Sequence, residues 1–154
     1  MKKLNDSSAL LEADLCAVII GSFRKHYQEI IELKNELEKL QIVVLSPKDC
    51  TIVDPAAEFV VFQPDSTSDP KLLQDAVFSK IKSATFVILA NFNDYIGRAA
   101  TLELGYAIAN GISIFTLRPM KDAHLKPYCR LLSEVFPSLG SLASRELLES
   151  IKGT

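Results

Sequence analysis

Cysteine is scarce in this chain. Cys16, Cys50 and Cys129 are odd in number and far apart. That pattern argues against a disulfide framework and against a zinc site with Cys-x-x-Cys spacing, and it predicts a reducing compartment, the cytoplasm by default. Neither sign of charge dominates. Lys and Arg number 17 against 19 Asp and Glu, a formal net charge of -2, so the basic excess of a nucleic-acid-binding domain is missing. No apolar run reaches the roughly 20 residues of a membrane span. Acidic residues interrupt "MKKLNDSSALLEADLCAVII", so no secretory signal peptide is expected. Several cofactor and catalytic signatures are missing too. "GSFRKH", after the first apolar run, holds a single glycine where a dinucleotide-binding turn needs Gly-x-Gly-x-x-Gly. There is no P-loop, no His-Glu-x-x-His and no serine-hydrolase elbow. The expectation is a protein with no cofactor, no metal, no nucleic-acid partner and no membrane partner.

What remains is ordinary globular material. At 154 residues, 48% hydrophobic and 23% charged, the chain fits a single domain over 1–154 with a polar lead-in over 1–13. "LCAVIIG", "IVVLSP", "ATFVILAN" and "ISIFTL" are continuous apolar runs, the pattern of parallel strands buried on both faces. "EFVVF" reads as a further short strand. Between the runs, "RKHYQEIIELKNELEKLQ" carries Ile30, Leu33, Leu37 and Leu40 on one stripe, an amphipathic helix. "PDSTSDP" is turn chemistry leading into a helix over about 71–82, a further helix runs from about Arg98 to Asn110 and stops at Gly111, and "SRELLESIK" reads as a closing helix. Pro119 and Pro127 bracket a loop. Alternating strands and helices predict an α/β fold: a three-layer, Rossmann/flavodoxin-like domain with a mostly parallel sheet of about five strands.

Ligands of such sheets bind beyond the carboxyl ends of the strands. Two strand-to-helix loops open there, "GSFRKH" and "NFNDYIGRAAT". In the first, Gly21 would let a ligand approach the backbone and Ser22 can cap the helix. Arg24, Lys25 and His26 crowd a first turn where the macrodipole prefers acids, which an anionic ligand would explain. Equally, Ser22 is only a cap and the basic side chains are solvated.

The second loop leads into "RAATLELGYAIA", almost wholly apolar or small apart from its Glu103. A helix apolar nearly all round is expected to be buried, and a buried Glu needs a partner or a cleft. Its place early in a helix that leaves the carboxyl edge favours a cleft. Backbone N–H groups near Gly97 and the hydroxyls of Tyr95 or Thr101 are expected donors to it. The alternative is that Glu103 caps or pairs with a distant Lys or Arg.

"GSFR" together with "NDYIGRAATLELGYAIANGISIF" resembles the nucleoside 2-deoxyribosyltransferase superfamily, which includes the deoxynucleoside 5'-monophosphate N-hydrolases. The likeness covers roughly Ala17 to Leu117, and its core is Glu103, Leu104, Gly105, Tyr106 and Ala107. The resemblance implies N-glycosidic bond cleavage or transfer on a (deoxy)nucleoside or nucleoside 5'-monophosphate, with Glu103 as nucleophile on the anomeric carbon. An apolar wall of Ala99, Ala100, Leu102 and Ala107 would strengthen that electrostatic step. Asp75 is the nearest match to a family Asp that contacts the sugar or helps protonate the departing base; its other reading is an acid on a helix surface. The substrate-binding set is then Gly21, Ser22, Arg24, Asn93, Tyr95, Gly97 and Thr101, although Asn93 and Asp94 are also ordinary turn residues. Arg118 resembles an arginine of the hydrolases and reads equally as a solvated loop residue.

The chain departs from the family pattern in three places. Val18 stands where a tyrosine is frequent, and Gly97 where the hydrolases place a phosphate-binding serine. No clear counterpart of a later serine occurs near Lys126. Nucleoside and monophosphate therefore stay open, as do water and a second base as acceptor. A non-catalytic nucleotide-sensing module of the same fold is the alternative. A homodimer or dimer of dimers is expected, both from the resemblance and from Phe78, Ile81 and Tyr106, which look like surplus apolar surface.

Overall fold

The structure is a computed structural model, and it describes residues 15–48 and 68–139. In chain order it contains β1 (Cys16–Ile20), α1 (Phe23–Lys39), β2 (Val43–Ser46), α2 (Pro70–Ser83), β3 (Phe86–Leu89), α3 (Arg98–Ala109), β4 (Ser113–Thr116), β5 (Cys129–Leu131) and the short α4 (Leu132–Val135). The expected lead-in over 1–13, the "EFVVF" strand and the closing "SRELLESIK" helix lie outside the described residues.

The strands form one sheet of five in the order β2-β1-β3-β4-β5, and every pairing is parallel. This is the doubly wound, Rossmann/flavodoxin-like arrangement expected from the sequence, with its switch point between β1 and β3. β5 is an addition, since the sequence assigns no element between α4 and the loop that Pro119 and Pro127 bracket. Cys129 pairs with Ile114 and Leu131 with Thr116. Three residues with Arg130 in the middle carry no apolar run, and only the edge of β4 makes them a strand.

Strand residues alternate between the two faces, and both faces are covered. Ala17, Ile19, Phe86 and Ile88 meet Ile30, Leu33 and Leu37 of α1 on one side. Val18, Ile20, Val87 and Leu89 meet Ile81 of α2 and Ala100, Leu104 and Ala107 of α3 on the other. Burying a side chain such as Leu104, which is 0% exposed, contributes about 2 kcal/mol. Leu40, expected on the α1 stripe, is instead 40% exposed, because it is the helix C-cap and the chain turns away there.

α1 and α3 end by the same device. Gln41 follows α1 at φ 63 and Gly111 follows α3 at φ 68. The amides of Ile42 and Ile112 then donate back to Leu37 and Ala107, which satisfies carbonyls that the helix end leaves open. α2 starts on Asp69, whose side chain accepts from the Leu72 amide at 3.1 Å.

The side chains expected as surplus apolar surface are largely used within the chain. Ile81 is fully buried. Phe78 of α2 stacks on Tyr106 of α3, centroids 4.5 Å apart. On these two helices the large exposed apolar residues are Leu72 and Leu102.

Beyond the last rung of β3, Asn91 does with its side chain what a strand does with its backbone. Its Nδ2 donates to the Arg118 carbonyl and its Oδ1 accepts from the Arg118 amide, both at 3.0 Å. At 2% exposure, water cannot replace these bonds. Asn91→Ala is expected to lower stability by about 2 kcal/mol, the cost of two orphaned backbone groups, read as an earlier midpoint in urea unfolding.

Candidate functional site

The loops at the carboxyl ends of β1 and β3 lie against each other, as the switch point requires. Gly21 ends β1 in a crowded place: a Cβ there would lie 3.2 Å from Ile30 Cδ1 and 3.3 Å from both Cβ and O of Ala90. A side chain there would press on Ile30 of α1 and on Ala90 just after β3, so the packing of these elements already asks for glycine. Ser22 caps α1 and accepts from the Lys25 amide at 3.4 Å.

The basic first turn is explained in part without an anion. Lys25 Nζ stands 3.8 Å from the centroid of the Tyr95 ring, an attraction between a cation and an aromatic face. His26 lies against Phe92, centroids 5.3 Å apart. Arg24 is exposed and has no ion pair among the described residues.

The second loop is shaped by strain and held by charge. Asn93 and Asp94 have φ of 53 and 58, left-handed values that cost non-glycine residues about 1–3 kcal/mol each. Asp94 accepts from Lys121 at 2.8 Å and faces Arg118 Nε at 3.9 Å. The carboxylate thereby ties this loop to the segment after β4. Arg118 is thus engaged with Asp94 and is no simple solvated residue. Asn93 is exposed. Tyr95 lies over Gly97, where a Cβ would meet its ring at 3.5 Å.

α3 begins at Gly97, and Thr101 Oγ1 donates to the Gly97 carbonyl at 2.9 Å. The Thr101 hydroxyl proton is therefore directed at the backbone and not at Glu103. Nor is α3 buried all round. Ala100, Leu104 and Ala107 face the sheet, while Ala99, Thr101, Leu102 and Gly105 are exposed. The expected apolar wall is half in solvent. A single helix on one face of a sheet can bury only the stripe that touches it.

Glu103 lies roughly 8 Å along the axis from the start of α3, beside the buried stripe and partly buried itself. Its partner comes from α2. Phe78 and Tyr106 stack between the two helices, and one turn N-terminal to that pair stand Gln74 and Glu103. Burial pushes the Glu103 carboxyl up to about 7, and the Gln74 amide opposes that shift. Gln74 Nε2 is itself buried and completes no hydrogen bond within the protein. The amide therefore lies near enough to favour the charge without the geometry of a finished bond. Glu103 has no ion pair among the described residues. The distant Lys or Arg that the sequence left open is not found there, and neither are the expected donors of the second loop.

Asp75, next to Gln74 in the chain, is elsewhere. Its side chain is 49% exposed and pairs with Lys71 at 2.6 Å, one turn back on α2. This is the helix-surface reading, and the structure does not bring Asp75 together with Glu103. Sequence reasoning passed over Gln74, since a glutamine in an amphipathic helix carries no signal until the neighbouring helix is placed against it. Asn91 offered a faint one: it is the polar residue that ends the apolar run "ATFVILAN". Among the described residues, no cluster of His, Cys, Asp and Glu could hold a metal ion, and no helix is long and apolar enough to cross a membrane.

A raised carboxyl pKa has a definite consequence for stability. Between pH of about 4.5 and 7 the folded chain keeps a proton on Glu103 that the unfolded chain releases, so stability falls as pH rises through this window. Glu103→Gln removes that dependence. Relative to the wild type, the variant is expected to gain stability from pH 5 to pH 8, by at most about 3 kcal/mol. Thermal melts of both proteins at each pH measure it, and identical pH dependence would refute the assignment.

No family model matches the chain, and no curated protein matches its sequence.

Proposed function

We propose that this chain cleaves or transfers the N-glycosidic bond of a (deoxy)nucleoside or nucleoside 5'-monophosphate, with Glu103 as the nucleophile. The observation that carries the reading is the carboxylate itself. It is partly buried and without a cation among the described residues, near the carboxyl edge of a doubly wound sheet. Such a group weakens the fold it sits in, and ligand clefts of these sheets lie at that edge. The resemblance of Glu103 to Ala107 to the superfamily core adds the chemistry. The ionised carboxylate attacks the anomeric carbon, and the C–N bonding pair leaves with the base, which takes up a proton. Water or a second base then displaces the carboxylate from the sugar. A nucleophile that titrates near 7 is charged in about half of the molecules at pH 7. Base release should therefore rise with pH through neutrality and level off above about 8.

Arg24 is the group for a 5'-phosphate: an exposed cation in the first turn of α1, at the loop that meets Tyr95. A second reading, a nucleotide-binding module without chemistry, is favoured by one observation. Asp75 is paired with Lys71 on the helix surface, so the expected second carboxylate of glycoside hydrolysis is not brought to Glu103 among the described residues.

A panel of nucleosides and monophosphates, with the released base followed by chromatography, tests both readings. The proposed reaction predicts release by the wild type and none by Glu103→Ala, with the fold intact by circular dichroism. Full activity in that variant would remove the proposal. Monophosphate binding by calorimetry with no base released from any substrate would establish the second reading. Arg24→Ala is expected to weaken monophosphates about tenfold more than nucleosides, because only the former lose a charge-assisted hydrogen bond. An equal effect on both would exclude Arg24 as the phosphate contact.

A further inference from the structure

We infer that Gln74 is the positioning residue of Glu103: its buried amide closes onto the carboxylate when the carboxylate is charged, fixing its orientation and sustaining its charge. As a statement about catalysis this rests on Glu103 being the reactive carboxylate. As a statement about the two side chains it stands on their placement alone.

The placement follows from helix geometry. α2 and α3 each run back from the carboxyl edge of a parallel sheet, so they are parallel to each other. Phe78 and Tyr106 stack between them. Gln74 is four residues before Phe78 and Glu103 three before Tyr106, so both lie one turn toward the same edge and face the same seam. Nε2 of Gln74 is buried without a hydrogen-bond partner, a condition that in a native protein calls for a reason. Its N–H can only donate, and a carboxylate can only accept. The bond completed on ionisation is charge-assisted, and stronger than an amide makes to a neutral carboxyl.

Gln74 is the side chain whose hydrogen bonding opposes the effect of burial on Glu103, and the other groups of these elements are engaged or directed elsewhere. From α2, Lys71 and Asp75 are paired with each other at the surface, 82% and 49% exposed. β1 and β4 present the apolar Val18, Ile20 and Ile114. On α3 itself, the Tyr106 ring stacks on Phe78, Thr101 donates to Gly97, and Arg98 is exposed. The amide next to Glu103 opposes the effect of burial on its titration, the direction expected of a donor to the charged form.

The test is a carboxyl titration that needs no substrate. In protein carrying 13C-labelled glutamate, the Glu103 signal is the one absent from Glu103→Gln. In Gln74→Leu its midpoint is expected to rise by about one pH unit, with the rest of the spectrum and the circular dichroism unchanged. Should that variant fail to fold, Gln74→Met keeps an unbranched side chain without a donor and is expected to give the same rise. An unchanged midpoint in a folded variant overturns the inference. With a substrate in hand, the pH profile of base release in the same variant should move to higher pH by the same amount. A profile that stays in place while the midpoint moves overturns the catalytic part. If no nucleoside or monophosphate releases base, the proposed reaction fails, and the titration still decides whether Gln74 holds the charge of Glu103.

Discussion

The ladder between β1 and β3 is the constraint on which the rest depends. Ala17 to Ile20 pair in register with Phe86 to Leu89, although the chain visits β2 in between. Right-handed crossovers on either side of that pairing send α1 to one face of the sheet and α2 and α3 to the other. The same register brings Gly21 against Ala90 at the carboxyl edge, so two loops distant in the chain start side by side. The contacts of Lys25 with Tyr95 and of His26 with Phe92 are consequences of that start. The sheet thus assembles the candidate site before any ligand-binding residue is specified.

The loop that leads into α3 must be rigid if Glu103 is to have a fixed place. Asn91 anchors its beginning through two bonds to the Arg118 backbone. Asp94 anchors its middle through Lys121 and Arg118. Both anchors reach the segment after β4. The pair with Lys121 is exposed on one side, since that lysine is 74% in solvent, and it contributes little. The buried Asn91 bonds are the stronger constraint. They offset part of the cost of the left-handed residues Asn93 and Asp94, and the strain sits at the carboxyl edge of the sheet. Strain of this kind is tolerated where the surrounding structure over-determines the backbone.

Glu103 and stability pull in opposite directions. Desolvation makes the charged carboxylate costly, and one amide is its only polar support among the described residues. A leucine or glutamine at this position would suit the fold better than a glutamate does. Burial raises the carboxyl pKa to about 7, and the nearby Gln74 amide opposes the rise.

The fold was written in the chain for a plain reason. Strands covered on both faces need apolar side chains at every position, so "CAVII" and "FVIL" announce themselves as unbroken runs, and α1 shows its stripe because only one side of it is covered. β5 was not legible, because three residues around Arg130 owe their strand geometry to the edge of β4 and not to their own preference. The site divides along the same line. Glu103 stood out as a charge in an apolar stretch, and the two loops stood out by their place after strands. The partner of Glu103 did not, and neither did the fate of Asp75. Neighbours on α2 point about 100° apart around the axis, so Gln74 enters the seam while Asp75 turns to solvent and Lys71. Local sequence determined which segments are strands and helices and where the odd carboxylate lies. Tertiary structure alone decided what that carboxylate lies beside, because the packing of two helices side by side on the sheet is a property of neither helix by itself.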